Sequence, residues 1–279
     1  MRRPIIYESG AQLRHPGRFL VLAAHDMRLA ATIAGRLFVA NLKARHRRAL
    51  LSYLWLVLPT LMMTAIWLFL QSSRLIDVGQ VGMPYPVYVL SGMLLWHLFL
   101  DALNSPLSQL TGAKSMVTRS RVPLEALVAA GAIETMFNFV VRLLLLIPVL
   151  IAYGTGPGST ILIVPFAAVL LALLGFSLGL FLAPLGALYE DVGRAVGLAT
   201  GILFFLTPIV YPVPDSGLVR LNPVTPLLDL ARRALTADLR TDISAIREMV
   251  FGAAIVLPLL LAGLVLLRLA RPHLVARLG

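Results

Sequence analysis

With 279 residues, 59% of them hydrophobic and only 13% charged, and a mean hydropathy of +0.88, the chain has too little polar surface for a soluble domain of its size. Its net charge of +11 does not indicate nucleic acid, because the cations are not interleaved with aromatic residues along a groove-tracking surface. Cysteine is absent, which excludes disulfides and thiolate metal sites, and no His/carboxylate cluster has metal-ligand spacing. What remains is an all-α integral membrane protein.

In chain order, the first 18 residues are polar and hold no apolar core with a cleavage site, so no signal peptide is expected. Leu20, Ala23, Met27, Ala30, Ile33, Ala34, Leu37, Phe38 and Leu42 then recur with a helical period, with Arg18, Arg28 and Arg36 among them. This predicts an amphipathic helix in the membrane interface or packed on a partner protein, within an N-terminal segment 1–50. The cluster Lys43, Arg45, Arg47, Arg48 abuts the first apolar run.

Spans of about 20 apolar residues match a hydrocarbon layer of roughly 30 Å at 1.5 Å per helical residue. Six are predicted within a transmembrane domain 51–268, at about 51–70, 87–110, 124–153, 161–188, 195–210 and 249–267, the fifth being marginal in length. The polar stretches 71–86 and 154–159, rich in Gly, Ser and Pro, read as turns. Region 211–247 holds Pro212, Pro214, Pro223 and Pro226, then an apolar-periodic stretch from Leu227 to Leu235. Such a segment suits a re-entrant helical hairpin before the last span, or an external loop with a surface helix. Residues 269–279 form a short tail.

Lysine and arginine number ten in 1–50, three in 111–123, one in 189–194 and three after 267, against Arg74 and five arginines in 211–248. The positive-inside rule places both termini in the cytoplasm. Arg220, Arg232, Arg233, Arg240 and Arg247 count against that orientation and need an explanation of their own.

Buried ionisable groups are costly unless paired or wet. His97 and Asp101 share one helical face, and Glu134, Asn138 and Arg142 fall at four-residue spacing on another. Counted from the span ends at 1.5 Å per residue, His97 and Glu134 both fall roughly at mid-membrane, where they could pair with each other. The pair would be a structural contact between helices, or the proton relay of a proton-coupled secondary transporter.

The order of motifs resembles the permease subunit of ABC-2 type exporters, in the group that moves lipid-linked polysaccharides such as O-antigen, capsule or teichoic acid precursors. The residues that carry it are Arg47 to Trp55 ending in Leu58-Pro59, Pro84-Tyr85-Pro86-Val87-Tyr88 continuing to Trp96, Arg121-Val122-Pro123-Leu124-Glu125, Leu188 to Val192, Phe204 to Pro212, and Leu221-Asn222-Pro223-Val224-Thr225-Pro226. They cover roughly residues 20 to 240 in family order. Glu190-Asp191 stands where the family commonly has Arg-Asp, and many members have a longer loop after Tyr211-Pro212.

The resemblance implies a non-enzymatic transport subunit of the bacterial inner membrane, working as a homodimer. Two copies of a separate nucleotide-binding subunit would use ATP and Mg, and no cofactor would be bound by this chain. Consistently, neither of its two lysines, Lys43 and Lys114, stands in a P-loop. Contacts with that ATPase are expected from Lys114, Arg119, Arg121, Glu125, Glu190, Asp191 and Arg194. A glycan sliding through a channel would meet aromatic faces, for which Tyr85, Tyr88, Trp96, Phe99, Phe204, Phe205 and Tyr211 are candidates, although Tyr and Trp at membrane boundaries also serve as belt anchors. Export of a drug or small lipid is the alternative within the same superfamily.

Overall fold

The structure, a computed structural model, describes residues 30, 32–45, 51–112, 124–155, 160–213, 218–236 and 243–278. These residues form helices and turns, with no strand among them. In order the helices are α1 (32–45), α2 (Ser52–Ser72), α3 (Tyr85–Gly112), α4 (Leu124–Leu143), α5 (Leu146–Ala152), α6 (Ile163–Leu188), α7 (Asp191–Phe205), α8 (Leu218–Leu221), α9 (Val224–Thr236) and α10 (Ile243–Leu278). The break between α4 and α5 at Leu144 and Leu145 has a local cause. Pro148 has no N–H to donate to the carbonyl four residues back, and its ring crowds that turn.

Five stretches, Tyr53–Ser72, Tyr85–Gly112, Leu124–Ala152, Ile163–Leu188 and Ser244–Ala270, are long and apolar enough to cross a membrane. The expected fifth span, 195–210, becomes the 15-residue α7 followed by a turn. At 1.5 Å per residue α7 is about 22 Å long, short of the roughly 30 Å hydrocarbon layer. The last helix also runs on through 278, beyond the expected end of its span at 267.

α3 and α6 form the centre of the bundle. They approach closely because Gly175 and Gly179 lie against the carbonyls of Phe99 and Leu103, where a Cβ would stand 2.6 and 2.3 Å from those oxygens. α4 covers α3, α10 packs on α6, and α2 lies at the periphery.

Side-chain contacts fix the relative heights of the helices. The hydroxyl of Thr60 lies 3.4 Å from Nδ1 of His97. Arg142 donates to the Leu56 carbonyl at 3.1 Å and to Asp101 at 2.6 Å. α2 and α3 therefore run antiparallel with 60 level with 97 and 56 level with 101. Extended along both helices, this register sets Tyr53, where the apolar span begins, level with about residue 104. Residues 105–112 of α3 continue past that level, toward the basic end of the bundle.

Candidate functional site

Two polar assemblies stand out, one at each end of the bundle. The first is built on the turn that follows α7. Non-helical backbone inside an apolar bundle needs a partner for every carbonyl, and here each one from Phe205 to Tyr211 has it. Tyr211 Oη donates to the Phe205 carbonyl at 2.7 Å and Asn222 Nδ2 to Leu206 at 3.4 Å. The Ile209 amide donates to Thr207 at 2.7 Å. Arg232 Nη1 donates to Pro208 at 2.6 Å and its Nη2 to Ile209. Tyr85 Oη donates to Val210 at 3.2 Å, and Tyr88 Oη to Tyr211 at 2.7 Å.

Arg232, 1% exposed, is the centre of this assembly. Its Nη2 also donates to the Tyr88 carbonyl at 3.1 Å, and its guanidinium lies 3.8 Å over the Tyr88 ring, a cation–π contact. Burial draws its pKa down to about 10, with Tyr88 and Asp229 acting in the other direction, so it stays charged at neutral pH. Gly92 makes room: a Cβ there would fall 1.7 Å from Nη2.

α9 is placed by its own start. Asn222 accepts from the Val224 amide through Oδ1 at 3.0 Å and donates to Thr207 Oγ1 at 2.8 Å. It thereby caps α9 and ties it to the turn. Arg233 pairs with Asp229 at 2.9 Å and with Glu248 on α10. Two of the five arginines that opposed the charge count are thus accounted for inside the fold. Arg240 lies outside the described residues. The motifs at 84–96, 204–212 and 221–226 are parts of one assembly.

The second assembly lies toward the basic end. Asp101, Asn104, Ser105, Ser108 and Gln109 form one stripe of α3, at the three- and four-residue spacing that shares a helix face. Gly131, Glu134, Thr135 and Asn138 form the facing stripe of α4. Together with Arg45 they enclose a polar cavity of about 170 Å³. Glu134 accepts from Arg45 at 2.5 Å, and Arg142, almost fully buried, holds Asp101. Ser105 Oγ is buried with no hydrogen-bond partner among the described residues.

These contacts correct the expected pairing of His97 with Glu134. His97 Nδ1 instead lies 2.8 Å from the Met93 carbonyl, and Glu134 is taken by Arg45. α3 and α4 extend beyond the level at which α2 begins. Phe137, three residues from Glu134, has its ring 6.2 Å from Tyr53 at the start of α2, so Glu134 lies level with the start of α2. The stripe of α3 beyond Asp101 was missed, although Asn104, Ser105, Ser108 and Gln109 continue the same helical face in the sequence.

Four of the seven aromatic residues expected at a channel, Tyr85, Tyr88, Trp96 and Phe99, are buried inside the helical bundle. They fill space or hold the turn, which leaves Phe204, Phe205 and Tyr211. Phe205 is exposed, and Phe204 packs edge-on between Trp96 and Phe205. Among the expected ATPase contacts, Lys114, Arg119 and Arg121 lie outside the described residues. Glu125 is turned inward and pairs with Arg268 at 3.4 Å, so it does not present a free carboxylate to the surface. Asp191 and Arg194 are exposed and pair with each other at 2.9 Å, and Glu190 is exposed beside them. No group of three or more His, Cys, Asp or Glu able to hold a metal occurs among the described residues.

A helical bundle with five stretches long and apolar enough to cross a membrane, carrying ionisable groups on its inward faces, suits a membrane transport subunit. The chain is similar to the O-antigen export system permease protein RfbA of Myxococcus xanthus, 30% identical over 199 residues that cover 67% of this chain and 74% of the relative. It is also similar to a protein of the same name from Klebsiella pneumoniae, at 26% over 200 residues with the same coverage. A third relative is the polysialic acid transport protein KpsM of Escherichia coli, at 22% over 209 residues, covering 71% of this chain and 79% of that one. No family profile matches the chain. On these relatives it belongs to the ABC-2 type permeases of polysaccharide exporters.

Proposed function

We propose that this chain is the membrane-spanning half of an ATP-driven exporter of a lipid-linked polysaccharide of the O-antigen or capsule kind, in the bacterial inner membrane. The observation that carries the reading is the relationship to the O-antigen export permease of Myxococcus xanthus across most of both chains. The ATPase is a separate subunit present in two copies, using ATP and Mg, and it engages the exposed link at Glu190, Asp191 and Arg194. The secondary-transporter alternative loses its motivating geometry, since His97 and Glu134 have different partners.

The reading includes six crossings, both termini in the cytoplasm and a re-entrant hairpin. Three observations support it. α7 is too short to cross alone, but the turn after it has every carbonyl satisfied, so it can end below the membrane surface. Arg232 reaches the Tyr88 carbonyl and crowds Gly92, about one to two turns inside the end of α3, which sets α9 at a recessed depth. The burial of Arg232 and the pairing of Arg233 remove two cations from the external count.

The reading also includes a homodimer whose seam runs along α7. Gly193, Gly197 and Gly201 recur every four residues on that helix, and a Cβ on any of them would meet nothing within 4 Å. Such a stripe allows close approach of a second helix. Phe204, Phe205 and Tyr211 then face the path between protomers. Isolation of the chain from native membranes is expected to bring down a P-loop ATPase at equal stoichiometry, with Mg-dependent hydrolysis that drives glycan transport. Full transport by this chain without ATP would contradict the proposal.

A further inference from the structure

We propose that the polar cavity between α3 and α4 is a subsite for a single monosaccharide unit, the sugar nearest the lipid carrier. The inference rests on the exporter reading above. The cavity, about 170 Å³ in volume, has room for one pyranose ring and not for a chain. Its charges are balanced, two carboxylates against Arg45 and Arg142, which suits an uncharged, hydroxyl-rich ligand better than a free anion.

The lining keeps hydrogen-bonding capacity that the fold does not use. Ser105 is 7% exposed and its hydroxyl has no partner among the described residues. Buried hydroxyls are ordinarily bonded, and an exception calls for an explanation. Gln109 and Asn138 also line the cavity, and no hydrogen bond holds their amides among the described residues. Asp101 and Glu134 each bind their arginine through one oxygen, leaving the other as an acceptor. Carboxylate acceptors, amides that donate and accept, and a hydroxyl are the groups that match adjacent ring hydroxyls.

The position fits the same ligand. The cavity lies level with the first turns of α2, at the boundary where a carrier lipid would present its head, and Arg45 at its rim is half exposed. Beside it the rings of Phe38, Phe137 and Tyr53 form a cluster, with centroids 5.5 and 6.2 Å apart. Tyr53 is exposed and offers a face for the C–H side of a sugar.

The test uses the full chain in lipid nanodiscs, titrated with polyprenyl diphosphates that each carry one hexose or N-acetylhexosamine, and with the same carrier without sugar. At least one glycosylated form is expected to bind about tenfold more tightly than the bare carrier. Ser105→Ala and Asn138→Ala are expected to remove most of that gain while leaving affinity for the bare carrier unchanged. Ser105→Ala should keep the wild-type melting temperature, because it deletes a hydroxyl that no protein group uses. As a second arm, Gly131→Ala would put a Cβ 2.3 Å from Ser105 Oγ and 2.8 Å from Gln109 Cγ, narrowing the cavity and lowering the sugar gain further. A gain that survives Ser105→Ala and Asn138→Ala would assign the cavity to water and overturn the inference. Equal binding of bare and glycosylated carriers by the wild type would also overturn it, and would leave the exporter reading standing. That reading fails on a different result, the persistence of surface polysaccharide in cells lacking this chain.

Discussion

At one end of the bundle, seven successive carbonyls from Phe205 to Tyr211 each meet a donor, and most of the donors are side chains reaching in from α3 and α9. At the other end, two ion pairs and a row of amides and hydroxyls surround a cavity, and among the described residues the Ser105 hydroxyl and the amides of Gln109 and Asn138 have no hydrogen-bond partner. Both regions place polar groups among apolar helices, where each unmet hydrogen bond is costly. At the turn every backbone carbonyl is met, and Arg232 Nε is the one buried donor left over there among the described residues. At the groove the unmet groups line a cavity with room for a ligand, which is the observation behind the proposed subsite.

Substitutions can separate the two. The largest effect is expected from Arg232→Ala, which strands the carbonyls of Pro208 and Ile209 in the interior. A loss of about 3 to 5 kcal/mol is expected, comparable with removing one partner of a buried charge pair. It would be read as a collapse of folded yield and of melting temperature in detergent. Gly92→Ala should produce a loss of the same kind, since its Cβ would overlap the guanidinium. If Arg232→Ala melted like the wild type, the turn would not depend on the arginine and the closed-end description would fail.

Asp101→Asn comes next, because it leaves Arg142, with a side chain only 7% exposed, facing a neutral amide. About 1 to 3 kcal/mol should be lost. Tyr88→Phe keeps the ring beneath Arg232 and deletes only the hydroxyl bond to Tyr211, so about 1 to 2 kcal/mol is expected, measured by the same melting assay. Arg45→Gln should cost about 0.5 kcal/mol or less, because its pair with Glu134 is half exposed and screened. A loss from Arg45→Gln as large as that from Arg232→Ala would erase the distinction between a closed end and an open one.

Much of the outline was legible in the sequence. Apolar runs of membrane length located five of the spans within a few residues, because length and hydropathy are enough to specify them. The motif order pointed to the family that the Myxococcus xanthus relative supports. The sequence did not reveal what the motifs do together. Tyr88 and Arg232 lie 144 positions apart in the sequence, and only the folded bundle brings them, with Tyr85 and Asn222, to one turn. Arg232 and Arg233 looked like misplaced surface charge because a charge count treats every arginine as solvated. The pairing of His97 with Glu134 was misjudged for a related reason, since counting from the ends of apolar runs does not fix the relative heights of neighbouring helices.

The account turns on the claim that this chain carries a lipid-linked polysaccharide out of the cytoplasm. The most direct test is deletion of its gene, followed by mass spectrometry of the lipid-linked pool and staining of the cell surface. The expected result is that a lipid-linked polysaccharide accumulates on the cytoplasmic side while the matching surface polymer disappears. Unchanged surface polysaccharide, with no lipid-linked glycan accumulating, would contradict it.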